Sequence, residues 1–407
     1  MIKQLLCAVA FLSAGCATVR AQLDSCVVVH VTDGEGWAFP LPEMDSITFK
    51  AGEDMNENDL YWMRLEQASS PATVVKTVYT SVAMSKWYYS VENSMTMNYM
   101  NSVQYDNNDY STTKITSYTS YTSYRKDQPL SVSIALGELI DSVQLSLRPD
   151  FGELIRIGVL VSEKTLTASN LLPGQKYYYR AYLRNKSVTD GHFFTLGQVR
   201  MVKTDSVENM RDLGGWPTTD GRHIRYGRIF RGSELDGVHD THITPDDSLI
   251  LHDLLDIRLD IDMRKEEERA GAVQSPLGTD VDYVHYDVVQ YKIADRSYYT
   301  AFRDLLATLR QGHAVYLHCW KGADRTGTMA YLLEALLGVP EEDVCKDYEL
   351  TSFGGQLRSR NSTSFTTFYD RVMAFQGATL QEKVEAIFLR YGITAEEIAE
   401  FRELMLE

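Results

Sequence analysis

The chain has 407 residues, of which 44% are hydrophobic, enough for packed cores in two or three domains. Its formal charge is −16, and no basic run or basic–aromatic stripe breaks that acidity, which excludes a nucleic-acid-binding protein. The nine histidines show no metal-ligand spacing and the cysteines no zinc pattern, so no metal or other cofactor is expected.

Residues 1–21 have the form of a secretory signal. Lys3 supplies the positive start, Leu5 to Leu12 the apolar stretch, and Val19-Arg20-Ala21 the small residues before a cut at Gln22. A competing reading is lipid anchoring through Cys16 after Leu12-Ser13-Ala14-Gly15. The protein is thus expected to be exported, periplasmic or secreted. No later segment is long and apolar enough to cross a bilayer as a helix. After the cut the chain keeps Cys26, Cys319 and Cys345, an odd set that suggests no disulfide framework.

Residues 22–58 are expected to form a short hairpin segment and a linker. Val27-Val28-Val29 and Ser46-Ile47-Thr48-Phe49 look like strands flanking the turn Asp33-Gly34-Glu35-Gly36, and Glu53 to Asn58 is polar. Residues 59–204 are dominated by strand patterns and are expected to form an all-β sandwich. Leu172-Pro173-Gly174 followed by Gln175 to Tyr182 is a turn and an aromatic-rich strand. It resembles the penultimate strand of fibronectin type III-like sandwiches. Thr116-Ser117-Tyr118 recurs through Tyr124 as a polar three-residue repeat.

Residues 205–407 alternate strands and helices, which implies a mostly parallel α/β sheet flanked by helices on both faces. Ile257, Leu259, Ile261 and Met263 alternate as in a strand. Phe302, Leu305, Leu306 and Leu309 mark a helix leading into the apolar strand Ala314-Val315-Tyr316-Leu317. Met329, Leu332, Leu333, Leu336 and Leu337 share one face of the next helix. Pro340 to Cys345 starts another, in which Cys345 is either a packed residue or a resolving thiol. Leu380, Val384, Ile387 and Phe388 mark one stopped at Gly392, and Thr394 with Glu397 has the spacing of a capping box.

Between that strand and helix the chain reads His318-Cys319-Trp320-Lys321-Gly322-Ala323-Asp324-Arg325-Thr326-Gly327. A tight loop from strand to helix aims backbone N–H groups and a helix N-terminus at a bound oxyanion. Trp320, Lys321, Gly322, Ala323, Thr326 and Gly327 are therefore the expected substrate-binding positions. The loop amides, the helix N-terminus and Arg325 favour the thiolate of Cys319. Arg325 grips two phosphoryl oxygens with its planar fork, a geometry lysine cannot copy. The thiolate displaces the alcohol, and water cleaves the resulting phosphocysteine. Thr326 is placed to hydrogen-bond the sulfur and His318 to order the loop. Such a thiolate is also easily oxidised.

The leaving oxygen needs a proton, and three aspartates are candidates. Asp324 sits inside the loop. Asp287 lies upstream in Tyr286-Asp287-Val288, a segment able to form a lid with Asp295. Asp262 ends the alternating strand and is followed by Arg264.

From about Ser206 onward the chain resembles tyrosine phosphatase family 3, the bacterial branch of the cysteine-based protein tyrosine and dual-specificity phosphatases. Four stretches carry the resemblance: Asn209-Met210-Arg211-Asp212-Leu213-Gly214-Gly215, Gly227-Arg228-Ile229-Phe230-Arg231-Gly232-Ser233, Ile261-Asp262-Met263-Arg264 and the Cys319 loop. The resemblance implies Asp324 as proton donor. Family members often have a lysine just before that aspartate. Here Ala323 stands there and Lys321 comes earlier, which weakens the case for lipid phosphates. The expected function is an exported, metal-independent phosphomonoesterase with protein phosphotyrosine as leading substrate. The alternatives are an inositol phosphate or phosphoinositide phosphatase and a phosphate-binding module of weak activity.

Overall fold

The computed structural model describes residues 131–407, apart from 153, 156–158, 163, 240 and 241, together with six strands ahead of them. The expected signal segment, the polar stretch 53–58 and the repeat 116–124 lie outside the described residues. Two compact units are formed, Met1–Lys86 with Thr219–Gly221, and Trp87–Thr218 with Arg222–Glu407.

In the first unit β1 (Cys26–His30) pairs antiparallel with β2 (Gly36–Pro40). The partner of β1 is thus Gly36–Pro40, a strand that sequence reading did not name, because Trp37-Ala38-Phe39 shows no alternation. β3 (Ser46–Lys50) pairs instead with β4 (Trp62–Ser69), which continues to β5 (Ala72–Thr77).

The second unit begins with β6 (Tyr88–Ser90) and two small sheets. β7 (Val132–Ala135), β10 (Thr165–Ala168) and β9 (Val159–Ser162) form one. β6, β12 (Val188–Leu196), β11 (Lys176–Leu183) and β8 (Ile140–Ser146) form the other. The predicted aromatic strand is β11, and its alternation is strict: Tyr177, Tyr179, Ala181 and Leu183 are buried. They share one core with Val132, Ile134, Leu166 and Phe193 from both sheets. Tyr177 and Phe193 stack at 5.3 Å.

The α/β part is built on β13 (Arg211–Asp212), β14 (Ile229–Gly232), β15 (Ile257–Asp262), β16 (Asp282–His285) and β17 (Ala314–His318). Their order is β13-β14-β17-β15-β16, antiparallel at the first pair and parallel thereafter, as the alternating pattern implied. Successive residues of β17 feed opposite cores. Val315 and Leu317 pack toward the larger cluster, Ala314 and Tyr316 toward the smaller. The carboxyl ends of the parallel strands converge, with His318 in register with both Gly232 and Asp262.

A short helix α1 (Pro245–Ser248) precedes β15. Then come α2 (Ser297–Arg310), α3 (Arg325–Leu337), α4 (Glu341–Leu350), α5 (Thr363–Met373), α6 (Leu380–Arg390) and α7 (Ala395–Met405). The capping box at Thr394 and Glu397 is formed, and a second at Thr379 and Glu382 opens α6. Phe302 of α2 meets Phe388 and Phe401 edge-on at 5.1 Å each, contacts worth about 0.5–1.5 kcal/mol apiece beyond burial.

Helix α3 departs from the one-faced expectation, since every one of its residues is buried. Its polar face is covered as well: Tyr331 meets Phe365 and Phe368 of α5, and side chains of Gln381 and Arg402 reach the Leu336 carbonyl. Glu334 on this helix is buried, and its two carboxyl oxygens have no partner among the described residues. Burial, reinforced by Asp347, holds its carboxyl well above the usual carboxylate range against the opposing pull of Arg231 and Arg211. Folding therefore takes up a proton at Glu334 above the ordinary carboxylate pKa of about 4.3. The stability tied to that proton is complete below this pH and is lost as pH rises. Glu334→Gln removes the loss. In thermal melts its advantage over wild type is expected to grow from pH 5 to pH 8, and an equal difference at both would show Glu334 to be ionised in the fold.

Candidate active site

Cys319 follows the last residue of β17 and is a free, buried thiol, 3% exposed. The loop after it reaches Asp324, and α3 begins at Arg325 with its first bond from Gly327 N to the Ala323 carbonyl, 3.0 Å. Gly322 has a φ of +63°, and a Cβ there would lie 2.2 Å from the Gly232 carbonyl oxygen. Only glycine fits a left-handed position pressed against a strand end. Gly232 is itself confined to glycine, since a Cβ there would lie 2.4 Å from the Tyr316 hydroxyl.

The floor of the loop is a buried ionic frame. Asn209 donates to the Gly322 carbonyl at 2.9 Å, and Arg231 Nη2 donates to the same oxygen at 2.9 Å. Arg231 Nη1 and Arg211 Nε then meet on Asp347 of α4, at 2.6 and 2.8 Å. Arg211 also donates to the Asn209 side chain, which fixes the amide orientation. Burial opposes the charge on Asp347, but Arg211 and Arg231 outweigh it and hold the carboxyl below its usual range. Burial brings Arg231 down to about 10, which leaves it charged at neutral pH. Asn209 has a φ of 57°, a left-handed conformation that asparagine tolerates. Asp212, from the same motif, accepts from the Gly214 and Gly227 amides and pairs with Arg200 at 3.2 Å.

A second frame lies at the other wall. His318 Nε2 stands 3.0 Å from Asp260 and 4.0 Å from Asp262. Burial disfavours its charge, yet Asp262 and Asp260 prevail and push its pKa up to about 9. His318 is therefore an imidazolium, and its Nδ1 faces the Cys319 carbonyl at 3.4 Å. Asp262 and Arg264 form a buried pair at 2.7 Å, and Arg264 also binds Glu234 (2.9 Å) and Asp236 (2.5 Å). Glu234 takes the Trp320 carbonyl through its backbone N–H at 3.0 Å. Despite burial, His318 and Arg264 hold Asp262 well below the usual carboxylate range, and Tyr283 donates to it at 2.8 Å. Asp262 and Arg264 thus brace the loop from beneath, and Asp262 carries no proton to donate at neutral pH.

The other two aspartates differ in setting. Asp287 is exposed and among the described residues takes a long bond from the Glu266 amide, 3.4 Å. Asp324 sits at the start of α3. Arg358 grips it with two bonds of 2.6 Å, and Tyr291 donates its phenol to the same carboxyl. Burial raises the cost of its charge, but Arg358, Tyr291 and Arg325 together keep it below the usual range.

Arg325 is 7% exposed, and its Nη1 pairs with Glu268, which follows the Asp262–Arg264 pair on a single 3-10 turn. Its Nε and the hydroxyl of Thr326 are buried without a partner among the described residues. A phosphoryl oxygen supplies what an unpaired N–H of this kind needs. Trp320 is 37% exposed and stacks on His239 at 4.2 Å, Lys321 pairs with Glu208 at 3.3 Å, and Ala323 and Gly327 are buried. Burial pushes the Cys345 thiol up to about 12, so it is a packed cysteine and not a reactive one.

Sequence reading missed Glu268, Asp347, Arg358, Tyr291 and Glu234. Glu234 directly follows the Gly227–Ser233 motif, but the other four have no motif beside them and only the fold brings them to the loop. The Gly322 contact makes a sharp prediction. Gly322→Ala is expected to displace the loop and lower aryl phosphate hydrolysis by about 100-fold, the usual cost of an ångström-scale misplacement. Wild-type rates in this variant would show that the contact does not set the loop.

Residues 202–400 match the sequence model of the Tyrosine phosphatase family. A Cupriavidus necator protein named "Putative tyrosine-protein phosphatase" is 27% identical over 164 residues, 35% of this chain and 60% of that protein. The chain thus spans about three fifths of that relative's length. Among solved structures, P. aeruginosa TpbA shares 17% identity over 41% of this chain and 89% of its own, with a TM-score of 0.29. The core catalytic domain of the PP-IP phosphatase SIW14 from S. cerevisiae shares 14% over 47% and 98%, with a TM-score of 0.31. Residues 202–400, which hold the Cys319 loop and the three motifs that brace it, thus match the tyrosine phosphatase family, and the segment is recognised as a hydrolase of that type.

Proposed function

We propose that the protein is a cysteine-dependent phosphomonoesterase that acts through a phosphocysteine, with protein phosphotyrosine as its substrate. The observation that carries this reading is the buried Cys319 thiol on a braced loop that ends in Arg325, whose buried Nε has no partner among the described residues. Cys319 attacks phosphorus, and Arg325 with the loop amides takes the charge that builds on the equatorial oxygens. Asp324 protonates the leaving phenol and then takes a proton from the water that cleaves the phosphocysteine. Thr326 assists departure of the sulfur.

Two features favour an aryl monophosphate over inositol polyphosphates or phosphoinositides. Cations around the mouth are matched by acids: Lys321 with Glu208, Arg325 with Glu268, Arg358 with Asp324, and Arg269 with Glu266. A head group with several phosphates needs a surplus of positive charge, and this arrangement supplies little. Trp320, stacked on His239 beside the nucleophile, offers an aromatic surface suited to a phenyl ring. Export through the segment 1–21 belongs to the same proposal, with lipid anchoring at Cys16 as its variant. The all-β part, read as a fibronectin type III-like module, would place the enzyme or gather its substrate.

The test is hydrolysis of an aryl phosphate by the reduced protein with chelator present. Wild-type turnover that is lost in Cys319→Ser, by about 10⁴-fold or more, is expected for an obligatory nucleophile. Tight phosphopeptide binding without turnover would replace the enzyme with a phosphate-binding module.

A further inference from the structure

We propose that Arg358 is a positioning residue for the leaving-group proton: its guanidinium, clamped across both carboxyl oxygens of Asp324, must release that carboxyl before Asp324 can carry a proton to the substrate. The inference rests on the reading of Asp324 as the general acid and names the residue that governs it.

The geometry is a fork on a fork. Arg358 Nε donates to Oδ1 and Nη2 to Oδ2, each at 2.6 Å, while the Tyr291 phenol also donates to Oδ1. Both oxygens are thus engaged as acceptors, the pattern of a carboxylate and not of an acid. Tyr291 shares its hydroxyl with Tyr348 of α4 at 2.7 Å, and Arg325 adds a further positive charge beside Asp324. Arg358, Tyr291, Tyr348 and Arg325 are the charged and titratable groups that face this carboxyl from the loop, the segment after β16, α4 and α3.

The loop that carries Arg358 is stiff. Ser352 Oγ accepts from the Arg358 amide at 2.9 Å and donates to its carbonyl at 2.8 Å. Two residues on, Arg360 is locked to Glu349 by a buried pair at 2.8 Å. The Arg358 side chain itself is 25% exposed. Release therefore needs a side-chain rotation and no loop movement. Gripped, Asp324 is an anion. The leaving phenolate must then be met by a proton brought in on the phosphate monoester itself. Released, Asp324 takes up a proton. The thiolate bonds to phosphorus as the P–O bond to the phenol breaks, and the acid's proton passes to that oxygen. Asp324 is left a carboxylate, which Arg358 is free to grip again.

The test is a pair of pH profiles, kcat and kcat/KM, for phenyl phosphate and for p-nitrophenyl phosphate, whose leaving group needs little protonation. Arg358→Met is expected to move the alkaline limb for phenyl phosphate upward by about one pH unit, because the opposite charge that favoured ionised Asp324 is gone. At the pH of the wild-type limb its turnover rises about twofold, and well above both limbs about tenfold. Asp324→Asn is expected to slow phenyl phosphate by about 100-fold and p-nitrophenyl phosphate far less. An unchanged ratio of the two substrates in Asp324→Asn overturns the acid assignment. A lowered ratio there, with the limb unmoved in Arg358→Met, overturns the role of Arg358 alone. Arg358→Lys keeps a charge but loses the fork. It is expected to give a smaller upward shift, and it serves as the test if thermal melts show Arg358→Met to be unfolded.

Discussion

The Cys319 loop depends on one carboxylate buried beneath it. Asp347 gathers Arg211 and Arg231 in the interior, and Arg231 and Asn209 then meet on the Gly322 carbonyl. Three charges buried together are costly to desolvate, and a hydrophobic replacement would often be as stable. Their value here is geometric. Two strands and a helix are tied to one backbone oxygen of the loop, and removing either kind of partner leaves an unpaired buried charge, at a cost of about 3–5 kcal/mol. A loop whose amides must all point at one anion cannot be left to find its shape on binding.

The same site shows how one local field assigns different protonation states to neighbouring groups. His318 is held as a cation by Asp260 and Asp262, and Asp262 as an anion by His318 and Arg264. Those charges are mutually locked and serve only to brace. Asp324 differs in setting: it takes the Tyr291 phenol and the fork of Arg358, and the Arg358 side chain is one-quarter exposed where the charged partners of Asp262 are buried.

Much of this was legible in the sequence. The strand–loop–helix around Cys319, the alternation of Ile257 to Met263 and the capping box at Thr394 are local patterns, and the fold keeps them. The motif residues Asn209, Arg211, Arg231 and Arg264 were visible as motifs, but their work was not. Each acts through a partner more than twenty-five residues away: Gly322, Asp347 or Glu234. The all-round burial of α3 was hidden for a related reason. Its threonines, Tyr331 and Glu334 read as a polar face, and only the packing of α5 and the reach of Gln381 and Arg402 turn that face inward. Hydrophobic periodicity reports the apolar side of a helix and is silent on polar side chains that neighbouring elements cover.

The frame extends beyond the α/β sheet. Asn170, in the β-rich part, clasps the Lys203 backbone with both ends of its amide, accepting at 2.6 Å and donating at 3.1 Å. Arg200 donates to the Asn170 carbonyl and to Asp212, and Asp212 in turn holds the turn amides of the motif that carries Asn209 and Arg211. A short chain of hydrogen bonds thus runs from the β-rich part to the stretch that supports the catalytic loop. A module joined in this way is seated on its neighbour through buried polar contacts, unlike one tethered by a flexible linker. A substrate it captured would be presented from one fixed direction. Selection of substrate by the β module would then act through geometry, by favouring phosphates at a set distance from the captured epitope, and not through raised local concentration alone.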